Sequence, residues 1–142
     1  GNVFNSEATL NSFVVLKNVK IVSVKGVKVE WSLVAQKFGT KAVKLCMFCV
    51  YEGELITFEG LEFYFSYFNS GAILISNTGV WVPDFALASS DHLILRDLKF
   101  ESCGAKEEGL MSVSYTDKTQ HNISASLISF KYCISEGALF SV

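Results

Sequence analysis

The chain has 142 residues, half of them hydrophobic and 13% aromatic, with only 18% charged and a net charge of −2. That length suits one domain. The composition excludes a disordered or polar low-complexity chain. The near-neutral balance argues against a nucleic-acid binder, which needs basic stripes to neutralise phosphates.

Taken in chain order, residues 1–13 form a polar N-terminal segment that does not resemble a signal peptide, and residues 14–142 form the domain. From Lys17 to Lys28 four lysines alternate with Val and Ile, the pattern of a strand with one solvated face. Further alternating runs follow at Val27-Val29-Trp31, Leu61-Phe63-Phe65 and Ile73-Ile75. The longest interruption, Trp81 to Asp91, holds the only proline, Pro83. No uninterrupted apolar run reaches the roughly 18 residues of a transmembrane helix.

Five segments share one pattern: an alternating apolar strand, a polar corner, a glycine, then a second short strand. They are Val19–Val24, Leu45–Val50, Phe63–Phe68, Leu98–Cys103 and Ile128–Cys133, leading to Gly26, Gly53, Gly71, Gly109 and Gly137. Aligned, they predict an interior ladder of Ile21, Met47, Phe65, Phe100 and Phe130, with corner glycines needed for bending. The anchors lie 26, 18, 35 and 30 residues apart, near one coil of a parallel β-solenoid. The fold expected is therefore all-β, a parallel β-helix of about five coils. A β-sandwich of pilin type, with the N-terminal segment donated to a neighbour, is the alternative.

The segments Ser70-Gly71-Ala72-Ile73-Leu74-Ile75 and Glu136-Gly137-Ala138-Leu139, with the Phe-x-x-Cys units, resemble repeats of right-handed parallel β-helix proteins. They are similar to the pectate-lyase-like superfamily, and to the repeats of polymorphic membrane proteins in particular. One glycine stands where two are usual, and Phe68, Cys103 and Cys133 stand where Asn is usual. The resemblance implies an extracellular or cell-surface β-helix, adhesive or structural, with polysaccharide lyases and hydrolases among its relatives.

Cys103 and Cys133 fall in one column. Strands about 4.8 Å apart would bring them within disulfide range, and two reduced, buried thiols are the competing expectation. Cys46 and Cys49 spell C-x-x-C, but the other cysteines and His92 and His121 lack zinc spacing. Three residues apart on a regular strand, Cys46 and Cys49 should face opposite sides and not pair. Asn122-Ile123-Ser124 is an N-glycosylation sequon. No catalytic set, cofactor site or metal site is expected.

Two functions compete. One is a non-catalytic structural or adhesive solenoid whose ends meet other copies or flanking coils of a longer solenoid, with glycans as further partners. The other is a carbohydrate-active enzyme built around Asp84, Asp91, Arg96 and Asp97.

Overall fold

The structure is a computed structural model; it describes residues 2–4, 14–34, 46–77, 92–106, 109–115 and 123–141. Its elements are all strands: β1 (Asn2–Phe4), β2 (Val14–Lys25), β3 (Val27–Glu30), β4 (Leu33–Val34), β5 (Phe48–Tyr64), β6 (Tyr67–Phe68), β7 (Ile73–Asn77), β8 (Leu93–Glu101), β9 (Gly104–Ala105), β10 (Met111–Tyr115), β11 (Ile123–Lys131), β12 (Ile134–Ser135) and β13 (Phe140–Ser141). The β-branched and aromatic runs that alternate in sequence are the ones that become strands.

Every pairing among the described residues is parallel. A pilin-type sandwich is built on antiparallel pairs, so that alternative is set aside. The strands form a nine-stranded curled sheet and a four-stranded sheet ordered β12-β9-β6-β4. β1, from the polar N-terminal segment, lies in register on β3.

The register is regular. Lys25 lies beside Glu59, Glu59 beside Arg96, and Arg96 beside Ser126, at steps of 34, 37 and 30 residues. Four successive stretches of chain thus pass through one line. The bends between ladders are made by single left-handed residues. Gly26, Gly60, Asp97 and Leu127 share one bend line, with φ of 66°, 66°, 55° and 55°. A bend residue interrupts the alternation, so inward parity restarts after each corner.

This explains where the expected ladder fails. Val29, Phe63, Phe100 and Phe130 stand in register, so only Phe100 and Phe130 of the expected five stack together. Ile21 pairs with Leu55 and is 63% exposed. Met47 is buried just ahead of β5, on a different ladder. Phe65 occupies a bend, with φ 50°, and faces out. Counting from glycines instead of from bends put these residues in one column.

The corner glycines divide likewise. Gly26 belongs with Gly60. Gly71 has φ 110°, and a Cβ there would strike the carbonyl of Gly109; a Cβ on Gly109 would strike that of Ala138. Gly53 is a close-packing position, where a Cβ would sit 2.8 Å from Ile56. Gly137 meets no neighbour within 4 Å of an added Cβ and falls one residue out of step with Gly109.

The core lies inside the curl. Ile56 and Leu93, Leu61 and Leu98, and Phe63 and Phe100 form buried pairs on neighbouring strands. The Phe63, Phe100 and Phe130 rings stack at 4.7 and 5.0 Å, matching the strand spacing of about 4.8 Å. Where the chain leaves the β7 ladder, the Asn77 side chain replaces a strand. Its Nδ2 donates to the Gly53 carbonyl at 2.8 Å, and its Oδ1 accepts from the Gly53 N–H at 3.1 Å. Pairing resumes three residues on, where the Ile56 N–H donates to the His92 carbonyl at 2.9 Å.

Candidate functional site

The outer face of β3, β5, β8 and β11 carries charge that is paired within the sheet. Lys28 and Glu30 are 2.8 Å apart, Lys99 and Glu101 3.9 Å, and Arg96 and Glu59 3.3 Å. Lys25 approaches the same Glu59 carboxylate at 4.0 Å. Lys28 and Lys99 flank the Tyr64 ring at 5.4 and 5.6 Å, and the Tyr64 hydroxyl donates to Glu62. Burial, then the Glu62 carboxylate, pushes the Tyr64 phenol up from its ordinary pKa. The hydrogen bond and charge of Glu30 raise that of Lys28.

The next bend differs. Trp31, Phe65, Ser102 and Tyr132 share one line, each with φ between 50° and 55°. Left-handed backbone is rare for bulky residues. The ladder bonds hold them there: the Trp31, Phe65 and Ser102 N–H groups donate to the carbonyls of Tyr64, Glu101 and Lys131. The bend turns these side chains outward, leaving Trp31 60% and Tyr132 76% exposed. The Trp31 and Phe65 rings stack at 4.5 Å with 10° between planes. The Lys131 ammonium lies 5.3 Å from the Tyr132 ring centroid.

Inside the same bend run Ser32, Ser66, Cys103 and Cys133. The Ser66 hydroxyl donates to the Tyr64 carbonyl at 2.9 Å and accepts from the Ser32 N–H at 3.1 Å. The Cys103 thiol lies against the Phe63 and Glu101 carbonyls at 3.3 and 3.4 Å, and Cys133 faces those of Phe100 and Lys131. Burial pushes the Cys103 thiol up to about 11, so it is a neutral donor at ordinary pH. The two cysteines stack as the columns predicted, but each thiol turns to carbonyls and both remain unbonded to one another.

The disulfide joins Cys46 to Cys49 instead, with Cα atoms 6.0 Å apart. The expectation that they face opposite sides assumed a strand through both. β5 begins only at Phe48, so Cys46 lies outside the strand, ahead of a bend at Met47, and the alternation does not fix its side. Both sulfurs are buried beside Leu74, apart from the main core.

On the bend's surface lies an open groove of about 650 Å³. Phe65, Tyr67, Tyr132 and Ile134 line it together with the small Ser102 and Gly104 and the charged Lys106 and Glu136. It groups apolar rings at the surface with polar groups nearby, a combination that suits ligand contact. Sequence reasoning placed Phe65 inside and passed over Trp31, Ser102 and Tyr132. The usable signal was the recurring triplet Trp31-Ser32-Leu33, Phe65-Ser66-Tyr67, Ser102-Cys103-Gly104 and Tyr132-Cys133-Ile134.

The residues grouped for carbohydrate chemistry are not brought together among the described residues. Arg96 lies on the outer face against Glu59, and Asp97 occupies a bend. Asp84 and Asp91 lie outside the described residues, as do His121 and the sequon residue Asn122. Among the described residues no three metal-ligating side chains converge, and no helix is long and apolar enough to cross a membrane. Comparison with protein families, curated proteins and solved structures finds no match to this chain.

Proposed function

We propose that this chain is a non-catalytic, extracellular or cell-surface β-solenoid of about five coils, structural or adhesive, related in architecture to the pectate-lyase-like β-helix proteins. Its outermost strand takes up a further parallel rung, from another copy or from flanking coils of a longer solenoid. Glycans are further partners of its surface.

The observation that carries this reading is the uncovered edge at β11. Leu93 and Ile56 are 0% and 1% exposed, whereas Ile123, in the same line, is 37% exposed. Phe130 and Ile128 are only half buried, although Phe100 and Leu98 beside them are fully buried. A strand edge with apolar side chains in core register is a template for another strand. One more rung would cover these side chains and satisfy the outer backbone groups. The buried Cys46–Cys49 disulfide supports an oxidising, extracytoplasmic setting. Near-neutral net charge, −2 over the chain, offers little repulsion to oppose association.

Sedimentation velocity on the wild type and on Ile128→Lys tests the reading. A charge at the open edge should shift the distribution towards the monomer, because edge charges block strand addition. Identical distributions for the two chains would count against it.

A further inference from the structure

The outward bend line is an aromatic ladder with one step of different size. Trp31, Phe65 and Tyr132 carry rings, and Ser102, between the last two, carries a hydroxymethyl group. The line two residues on repeats the interruption: Leu33, Tyr67 and Ile134 are large, and Gly104 has no side chain. Both small residues lie on the same rung, so the surface recesses there by the thickness of one layer.

The dimensions define what fits. Phe65 and Tyr132 are two rungs apart, or about 9.6 Å at the usual strand spacing. A flat ring midway would lie about 4.8 Å from each. The protein's own stacked pairs stand at 4.5, 4.7 and 5.0 Å. The Tyr67 ring already lies against Gly104, where an added Cβ would be 3.3 Å from its Cδ2, so the open part of the recess is the step at Ser102. Ser102, Lys106 and Glu136 line the same groove, with no ion pair between Lys106 and Glu136 among the described residues. Apolar faces above and below with polar groups at the edge suit a ring with a polar substituent.

We propose that the step at Ser102, between the rings of Phe65 and Tyr132, is a binding slot for one flat aromatic ring of a small molecule with a polar edge group. The ligand completes the ladder Trp31, Phe65, ligand, Tyr132. The Tyr132 wall follows directly on β11, but the slot lies on the side facing Ser102 and does not require self-association.

Ser102→Phe is the decisive variant. It fills the step with the side chain that Phe65 already carries at the same bend with nearly the same φ, 50° against 53°. The variant should therefore fold, and its circular dichroism and thermal melt provide the check. A second variant, Tyr132→Ala, removes one wall at an exposed position and does not depend on the first. Binding is followed by amide shift changes in the ¹⁵N-labelled chain. The probes are benzyl alcohol, the similarly sized but puckered cyclohexylmethanol, and methyl glucoside. Benzyl alcohol should bind with shifts centred on Ser102, Gly104 and Tyr132, and more tightly than either puckered ring. Ser102→Phe should abolish saturable binding by occupying the slot, and Tyr132→Ala should weaken it about tenfold, the equivalent of one lost stacking partner and its buried area. No saturable benzyl alcohol shifts at this corner, equal binding by cyclohexylmethanol, preference for methyl glucoside, or undiminished binding by folded Ser102→Phe would each overturn the proposal.

Discussion

At the residue scale, two side chains act as substitutes for backbone or for one another. Asn77 closes the ladder where the chain departs, satisfying both polar groups of Gly53. Asn77→Leu keeps the volume but leaves a buried N–H and a buried carbonyl without these partners. Chemical denaturation should show a loss of about 2–6 kcal/mol, given roughly 1–3 kcal/mol per unsatisfied buried group. Cys103 occupies a line it shares with Ser32, Ser66 and Cys133, so Cys103→Ser should fold with little change at neutral pH. Its thiol is raised to about 11 in the folded chain, from an ordinary 9.0. Below the lower value the thiol is neutral folded and unfolded, and the stabilisation is complete. As pH rises towards 11 the unfolded chain ionises first and stability falls, by roughly 2–3 kcal/mol at most. The stability difference between wild type and Cys103→Ser, measured from pH 8 to pH 11.5, should change in that direction. A constant difference would show that Cys103 is not buried as described.

At the element scale, strand type was legible and strand register was not. Alternation identified the runs around Phe63, Ile73, Leu98 and Ile128 correctly because one buried face leaves a period of two. Parallel stacking followed from the similarity between segments. The registers failed at bends such as Phe65, where one left-handed residue reverses which parity points inward. A bulky aromatic gives no local sign that it will adopt positive φ. The apolar cluster after it looks the same whether the ring is inside or outside, so the aromatic groove was hidden. The Cys46–Cys49 bond was missed for a related reason: a strand boundary one or two residues away decides whether the alternation rule applies. The ladder now assigned makes its own prediction. Phe100 is stacked on both faces, by Phe63 and Phe130, and fully buried. Phe100→Ala should lower stability by about 3–5 kcal/mol. The same change at Phe65, which is 47% exposed, should cost much less. Equal losses at the two sites in thermal or denaturant melts would restore the sequence-derived column.

At the scale of the whole molecule, the low charge and high apolar content have a structural explanation. Aliphatic and aromatic residues line the inside of successive parallel stretches, and the charges pair along the outer face at Lys28–Glu30, Lys99–Glu101 and Glu59–Arg96. The interior is well covered in the middle and thins towards β11, where Ile123, Ile128 and Phe130 stay partly open. The all-β, parallel character was more legible than any site, because alternation within many separate runs outweighs errors at single corners. Function was less so, since no binding motif in the sequence marked the aromatic groove. The account depends most on the open edge at β11 joining another rung. Light scattering over a micromolar concentration series measures this directly. The account predicts a weight-average mass that rises with concentration above the 15.7 kDa of one chain. A constant mass of 15.7 kDa throughout the series would contradict it.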